Sequence, residues 1–239
     1  MKAAVTSGYV GRNPCVGVKL PRAPRREMRV LDPGGVRALA EAIAEPYGVL
    51  VYVLAFGGLR WGEACALRRS RCDLLRGRLE VVESLAEIAG ELYFGEPKTY
   101  QRRWVRLPRF VSVALAAHLE ANVARTQDAL VFTSPNGAPL RYTNFRRRQW
   151  HPALRAAAVD PKLTPHQLRH FCASFLHSRG ASLKAIQEQL GHSSPTMTLS
   201  VYTHLFGGDL DGLYDGLEEP LAASLRPEPM SDVASLTLR

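Results

Sequence analysis

The sequence predicts a mainly helical α+β domain with a small three-stranded antiparallel sheet. Two patterns lead to this fold class. Apolar residues recur at helical spacing through most of the chain, behind start signals such as Asp32 followed by Pro33. The window from Arg78 to Pro108 instead alternates as strands do, with turn residues at Ala89-Gly90 and from Gly95 to Lys98. The 239 residues, of which 46% are hydrophobic, are enough to bury a core.

The first 26 residues differ from the rest of the chain. Proline, glycine and basic residues crowd the stretch GYVGRNPCVGVKLPR, which shows little periodicity. We expect residues 1–26 to be an interdomain linker at the end of a domain that is missing from this chain. Residues 27–225 are expected to form one domain, and residues 226–239 a disordered tail.

Helices are expected on both sides of the strand window. One starts at Asp32-Pro33, where an N-cap side chain precedes a proline. The next, YGVLVYVLAFGG, is apolar almost all round, so it should lie in the core and end at Gly57-Gly58. A short helix is expected within LRWGEACALRRSRCDL, and others at Arg109–Val123, at Thr143–Ala158 and in three short units after Leu163.

Composition indicates the kind of partner and the compartment. The 31 Lys and Arg against 22 Asp and Glu leave a formal charge of +9, which favours a polyanionic partner, with nucleic acid the leading candidate, although a basic pI can also simply aid solubility. The four cysteines form no C-x-x-C pair, so we expect free thiols in a reducing compartment. The chain has neither a signal peptide nor an apolar run of membrane-spanning length, which predicts a cytoplasmic protein without a membrane partner.

The stretch LTPHQLRH contains the best-defined helix start. Thr164 is the predicted N-cap and Gln167 its capping-box partner. His166 and Arg169 then share one face near the positive end of the helix, which suits a phosphate. An isolated pair of this kind is more often a packed histidine and a surface ion pair.

Further candidate residues lie at the ends of other elements. Arg60 follows a Gly-Gly helix stop and a buried leucine, and Glu63 can orient its guanidinium. Lys98 lies in the turn of the predicted sheet, where a lysine is usually solvated. His192 follows Gly191, which closes a helix, and Tyr202 comes ten residues later.

Together these motifs resemble the tyrosine recombinases, the phage-type integrases and related site-specific recombinases. Their order is that of the family: G-L-R with an acid three residues on, a hairpin lysine, HQLRH, L-G-H and a tyrosine. The resemblance covers about residues 27–215. It implies DNA cleavage and rejoining through a covalent 3′-phosphotyrosine intermediate, with six catalytic residues: Arg60, Lys98, His166, Arg169, His192 and Tyr202.

The chemistry of phosphodiester cleavage fits these residue types. Bidentate arginines can neutralise the non-bridging oxygens, a role for Arg60 and Arg169 that His192 would support with a hydrogen bond. The attacking phenol of Tyr202 must lose a proton, for which the imidazole of His166 is the candidate base. The departing 5′ oxygen must gain one, for which Lys98 is the candidate acid.

No cofactor or metal is expected. The covalent bond to tyrosine keeps the energy of the phosphodiester, so a 5′ hydroxyl can reverse the step without ATP. A zinc site built from His166, His170, His177 and His192 would lack a carboxylate or cysteine at a fitting spacing.

The expected partner is double-stranded DNA carrying attachment sites. The basic stretch FRRRQWHPALR, with Arg146, Arg147 and Arg148, should contact it together with the linker. The resemblance implies a homotetramer on DNA, with a directionality factor or a host DNA-bending protein as candidate partners, in a bacterial or phage-encoded, nucleoid-associated protein.

Two other classes of protein stay open at this point. The window from Thr164 to Tyr202 also suits a helix-turn-helix regulator that binds DNA without cutting it. That alternative gives no role to Arg60 or Lys98, and a catalytically inactive relative acting as a binding module would look similar to it. A type IB topoisomerase would use the same chemistry to relax supercoils.

Overall fold

The computed structural model describes residues 1–18, 31–97 and 102–192, and about half of them are helical. No helix within these ranges is both long and apolar enough to span a lipid bilayer. A π-helical turn, Arg146–Trp150, joins two of the helices, and a 3-10 turn lies at Arg69–Arg71. The α-helices are α1 (Lys2–Thr6), α2 (Pro33–Ala42), α3 (Gly48–Gly57), α4 (Trp61–Cys65), α5 (Arg109–Asn122), α6 (Tyr142–Phe145), α7 (His151–Ala156), α8 (Pro165–Ser178) and α9 (Leu183–Leu190).

The core is built around α3, which is buried on nearly every side. It packs against α2, α5 and α8, as its uninterrupted apolar sequence predicts. The helix before it starts as expected, because Asp32 Oδ1 accepts a hydrogen bond of 2.6 Å from the backbone N–H of Gly35. At the other end of the core Trp150 is fully buried, and its Nε1 donates to the carbonyl oxygen of Leu163 over 2.8 Å.

The described strands form two separate antiparallel sheets. One has three strands in the order β1-β2-β5, and the other is the hairpin β3-β4. Ala89 and Gly90 make the hairpin turn with φ of 50° and 85°, as predicted. The strands are β1 (Cys72–Asp73), β2 (Arg78–Val81), β3 (Ser84–Ile88), β4 (Glu91–Gly95) and β5 (Arg103–Arg106).

The fold class is confirmed, but the strand pattern differs from the prediction in detail. The window from Arg78 to Pro108 is predicted to supply three strands, whereas its described residues hold four, and only β2 and β5 belong to the three-stranded sheet. The third strand, β1, comes from the stretch predicted as a short helix, of which Trp61–Cys65 alone is α-helical. Alternation reports an extended backbone but not which strand pairs with it.

Gly58 ends α3 in a left-handed conformation, with a φ of 67°. A Cβ added there would lie 2.5 Å from Leu190 Cδ2 and 2.9 Å from Cys172 Sγ. We expect Gly58→Ala to lower the free energy of unfolding by about 2–4 kcal/mol, since backbone strain and overpacking add. Urea denaturation would measure this.

Gly90→Ala is the matched control for Gly58→Ala. Gly90 also has a positive φ, of 85°, but an added Cβ would meet nothing within 4 Å. Gly90→Ala should therefore lower the free energy of unfolding through backbone strain alone, by about 1–2 kcal/mol. Equal losses in the two variants would contradict the close approach of α8 and α9 to Gly58.

Candidate active site

Arg60 lies at the junction of α3 and α4, and Glu63 on α4 holds it in two ways. The backbone N–H of Arg60 donates to Glu63 Oε2, and its Nη1 donates to Glu63 Oε1, both over 2.8 Å. Glu63 is buried, with 2% of its surface exposed. The carboxylate thus caps the helix and orients the guanidinium, as the sequence suggested.

Arg169 projects from α8 into the same region and is 3% exposed. Its Nη1 donates to the carbonyl oxygen of Gly58 and its Nη2 to that of Leu190, each over 2.6 Å. Burial, followed by the charge of Arg60, lowers the pKa of Arg169 to about 10. Arg169 therefore stays charged at neutral pH, held in place by main-chain carbonyl groups.

His166 precedes Arg169 on α8, which begins as predicted. Thr164 is the N-cap, and its backbone N–H donates to Gln167 Oε1 over 2.7 Å. His166 and Arg60 line one groove of about 470 Å³ whose other wall is the hairpin β3-β4. An imidazole and a guanidinium thus face the same space.

His192 follows α9, which ends at Gly191 with a φ of 66°. The carbonyl oxygen of Gly191 accepts a hydrogen bond of 3.4 Å from Arg60 Nη2. Burial, followed by the positive charges of Arg169, Arg60 and Arg103, lowers the pKa of His192 to about 4. At neutral pH this imidazole is uncharged and lies in the field of the arginines.

Arg103 is the residue of this cluster that the sequence reasoning missed. Its Nη1 donates to Glu63 Oε1 over 3.0 Å and its Nη2 to Glu63 Oε2 over 2.7 Å. Arg103 alternates with exposed Trp104 in β5 and faces the same side as buried Val105. An inward-facing arginine in the alternating stretch RWVR was the available signal.

The structure brings four of the six predicted catalytic residues together: Arg60, His166, Arg169 and His192. Lys98 and Tyr202 lie outside the described residues. Of the predicted DNA-binding arginines, Arg147 and Arg148 are exposed on the π-helical turn. Arg146 lies with its guanidinium carbon 5.5 Å from the centre of the Tyr142 ring.

His192 and His170, whose ring centre lies 5.0 Å from that of His166, should make the folded protein less stable in acid. Burial and neighbouring positive charge lower the pKa values of His192 and His170 to about 4, while in the unfolded chain both titrate near about 6.5. Well above about pH 6.5 the two imidazoles are unprotonated in both the folded and the unfolded state, so they do not make stability depend on pH. Between about pH 6.5 and 4 the unfolded state binds more protons, so the free energy of unfolding decreases as pH falls.

Urea denaturation at a series of pH values would measure this dependence. His170→Gln removes one of the two groups, so its stability should fall less steeply than that of the wild type between about pH 6.5 and 4. Identical slopes for the two proteins would show that His170 is not held in its neutral form.

The fold and the cluster define a class of protein: a mainly helical α+β domain in which three arginines lie about one buried carboxylate, beside a groove lined by Arg60 and His166. Residues 29–207 match the phage integrase family. The chain belongs to this family, since the match covers most of its length.

Individual relatives agree with this assignment. The integrase of Mycobacterium phage L5 is 28% identical over 204 residues, which are 83% of this chain and 54% of that protein. The tyrosine recombinase XerC of Alcanivorax borkumensis is 31% identical over 218 residues, covering 87% of this chain and 66% of that protein. The chain thus spans between about half and two thirds of these relatives.

The fold also matches solved structures. The integrase of transposon Tn1549, in complex with circular intermediate DNA, superposes with a TM-score of 0.70 at 23% sequence identity. The match covers 84% of this chain and 72% of that chain. The likeness establishes the shared fold.

Proposed function

We propose that this chain is the catalytic part of a site-specific DNA recombinase that cuts and rejoins strands through a 3′-phosphotyrosine intermediate. The observation that carries the proposal is the charge of the buried cluster. Three guanidinium groups surround one carboxylate: Arg60, Arg103 and Arg169 lie about Glu63. Two positive charges are therefore left over among these four side chains.

An excess of two positive charges suits the reaction. Attack on a phosphodiester adds negative charge to its non-bridging oxygens, and fixed cations in a dry site stabilise that charge most strongly. Arg60 and Arg169 are proposed to bind these oxygens. The uncharged imidazole of His192 can add a hydrogen bond.

The proposed step moves one proton on each side of the phosphorus. The Tyr202 hydroxyl oxygen bonds to phosphorus and its proton passes to His166, while the bond to the 5′ oxygen breaks and Lys98 supplies a proton to that oxygen. A 5′ hydroxyl of a second duplex reverses the step. The electrons and protons balance without ATP or another co-reactant.

The surface supports DNA as the substrate. Arg147 and Arg148 are exposed, and Arg148 lines a groove of about 340 Å³ with Arg141 and Asn144. We propose that this surface and the linker at residues 1–26 contact the DNA backbone, next to a catalytic domain at residues 27–225. Assembly as a homotetramer on DNA, with a directionality factor or DNA-bending protein, belongs to the same proposal.

A pool of nicked duplexes with a randomised segment would test the proposed function. A nick a few nucleotides 3′ of the scissile phosphate lets the fragment with the new 5′ hydroxyl diffuse away, which traps the intermediate. We expect a covalent adduct that survives denaturing electrophoresis and carries a 3′-phosphate-linked nucleotide on one tyrosine. Sequencing the trapped DNA would identify the target.

The two alternative classes give different results in the same assay. A helix-turn-helix regulator or an inactive relative would retain duplexes under native conditions and leave no adduct under denaturing ones. A type IB topoisomerase would form the adduct and relax a supercoiled plasmid, but would not exchange strands between two sites.

A further inference from the structure

Glu63 is shared between two arginines in unequal ways. It accepts four hydrogen bonds within the described part of the chain. Two come from Arg60, through its backbone N–H and Nη1, and two from the guanidinium of Arg103. Only Arg103 places both of its terminal nitrogens on the carboxylate, one on each oxygen. Arg103 is therefore the main counter-ion of Glu63.

This sharing leaves the charge of Arg60 uncompensated. Burial alone would raise the pKa of Glu63, but hydrogen bonds and charge from Arg103 and Arg60 hold it below its ordinary value, so Glu63 is ionised. One carboxylate facing two guanidinium groups neutralises only one of them. Without Arg103, Glu63 and Arg60 would form a one-to-one pair with no net charge.

The position of Arg103 is fixed from three sides. Its backbone belongs to β5, its guanidinium binds Glu63 of α4, and its Nε donates to the carbonyl oxygen of Gln189 near the end of α9 over 3.5 Å. A Cβ on Gly191 would lie 2.6 Å from Arg103 Cδ. Only 9% of its side chain is exposed, although Arg103 borders a cavity of about 350 Å³ beside His192, so these contacts rather than a lack of space hold its guanidinium on Glu63.

We propose that Arg103 is a positioning residue of the cleavage reaction, which neutralises Glu63 so that Arg60 keeps its positive charge for the scissile phosphate. This inference rests on the proposed function. Glu63 orients Arg60. Arg103 cancels the negative charge that the Glu63 carboxylate brings with it. Arg103 acts through Glu63 and does not contact DNA.

The test compares single-turnover rates of adduct formation on a trapped duplex, at saturating and at limiting DNA concentration. Arg103→Met should lower the saturated rate about a hundredfold, near the effect of losing one charged donor at a reacting oxygen. The apparent affinity for DNA should change less than about threefold, because the site supplies few of the many backbone contacts.

A double variant separates this electrostatic role from a structural one. Glu63→Gln combined with Arg103→Met removes the carboxylate charge together with its counter-ion, so Arg60 regains its net charge. We expect the double variant to cleave at least about tenfold faster than Arg103→Met alone. A structural role predicts the opposite, since two broken contacts would be no better than one.

Further variants control for folding and for charge in general. Arg103→Lys keeps the charge without the bidentate contact and should fall between the wild type and Arg103→Met. Arg78→Met breaks another ion pair of the sheet, with Asp73 at 2.9 Å, at the opposite end of the β2-β5 pair. It should keep the wild-type rate, and thermal melting of every variant would show that each is folded.

The outcomes distinguish the two levels of inference. If Arg103→Met cleaves like the wild type, or if the double variant is as slow as Arg103→Met, the positioning role is overturned and the proposed function stands. If the wild type forms no adduct with any duplex of the pool, the proposed function fails, and the role of Arg103 falls with it.

Discussion

Replacing Tyr202 by phenylalanine is expected to abolish the covalent adduct while DNA binding persists. The phenol oxygen is the atom that bonds to phosphorus in the proposed step, and phenylalanine has no substitute for it. Removal of a nucleophile typically costs on the order of 10⁴ or more in rate. Denaturing electrophoresis after incubation with the trapped duplex would measure the loss, and native electrophoresis the retained binding.

Tyr93 provides a demanding control for this prediction. It lines the groove that contains Arg60 and His166, and its hydroxyl is hydrogen-bonded to Glu91. Tyr93→Phe should still form the adduct, because the wild-type Tyr93 hydroxyl donates a hydrogen bond to Glu91 and is not the proposed nucleophile. Loss of the adduct in Tyr93→Phe with retention in Tyr202→Phe would move the nucleophile to the hairpin and refute the assignment of Tyr202.

Arg169→Lys is expected to slow cleavage by about 10²–10³, although the substitution formally keeps the charge. The planar guanidinium holds the carbonyl oxygens of Gly58 and Leu190 with two different nitrogens. A single ammonium cannot reproduce that fork and still present a donor to a phosphate oxygen. One buried carbonyl would lose its partner, which costs about 1–3 kcal/mol of stability.

The lysine variant should also acquire a pH dependence of its own. The burial and neighbouring charge that lower the pKa of Arg169 to about 10 would also lower the pKa of a lysine, which starts from a lower ordinary value. Its residual cleavage should therefore decrease as pH rises. Arg169→Met, which has no proton to lose, should show no such decrease.

Arg179→Lys is the matched control for these measurements. Arg179 caps the C-terminal end of the same helix, α8, is exposed, and lies with its guanidinium carbon 5.5 Å from the Phe175 ring centre. An exposed substitution of this kind usually changes stability by no more than about 0.5 kcal/mol. If Arg169→Lys cleaved DNA at the wild-type rate, the two-nitrogen contact of Arg169 with the carbonyl oxygens of Gly58 and Leu190 would not be needed for cleavage.

Elements with a local signal could be predicted from the sequence. Asp32 and Thr164 mark helix starts through side chains a few residues from the groups they bind, and Gly58 marks a helix end through backbone conformation. The short strand β1 could not be predicted, because two residues carry no periodicity. Its place in the sheet depends on pairing with Leu79 and Arg78.

The site was predictable to the extent that its residues occupy motifs. Arg60, His166 and His192 stand at or near element ends, Arg169 lies one helical turn into α8, and the structure places the four together. Arg103 carries no motif of its own, since its partner Glu63 is 40 residues away in the chain. Pairing across such a separation is set by tertiary packing. The roles of Lys98 and Tyr202 remain predictions for the adduct experiments.

The manner in which Arg169 is held bears on how the sequence can diverge. Its two hydrogen bonds within the described residues go to carbonyl oxygens, at Gly58 and Leu190, and every amino acid has such an oxygen. Selection to keep Arg169 in place therefore acts on the path of the backbone at these points, while the side chains around it can drift. Relatives only 28–31% identical to this chain can retain the same support for this arginine without sharing the residues that provide it.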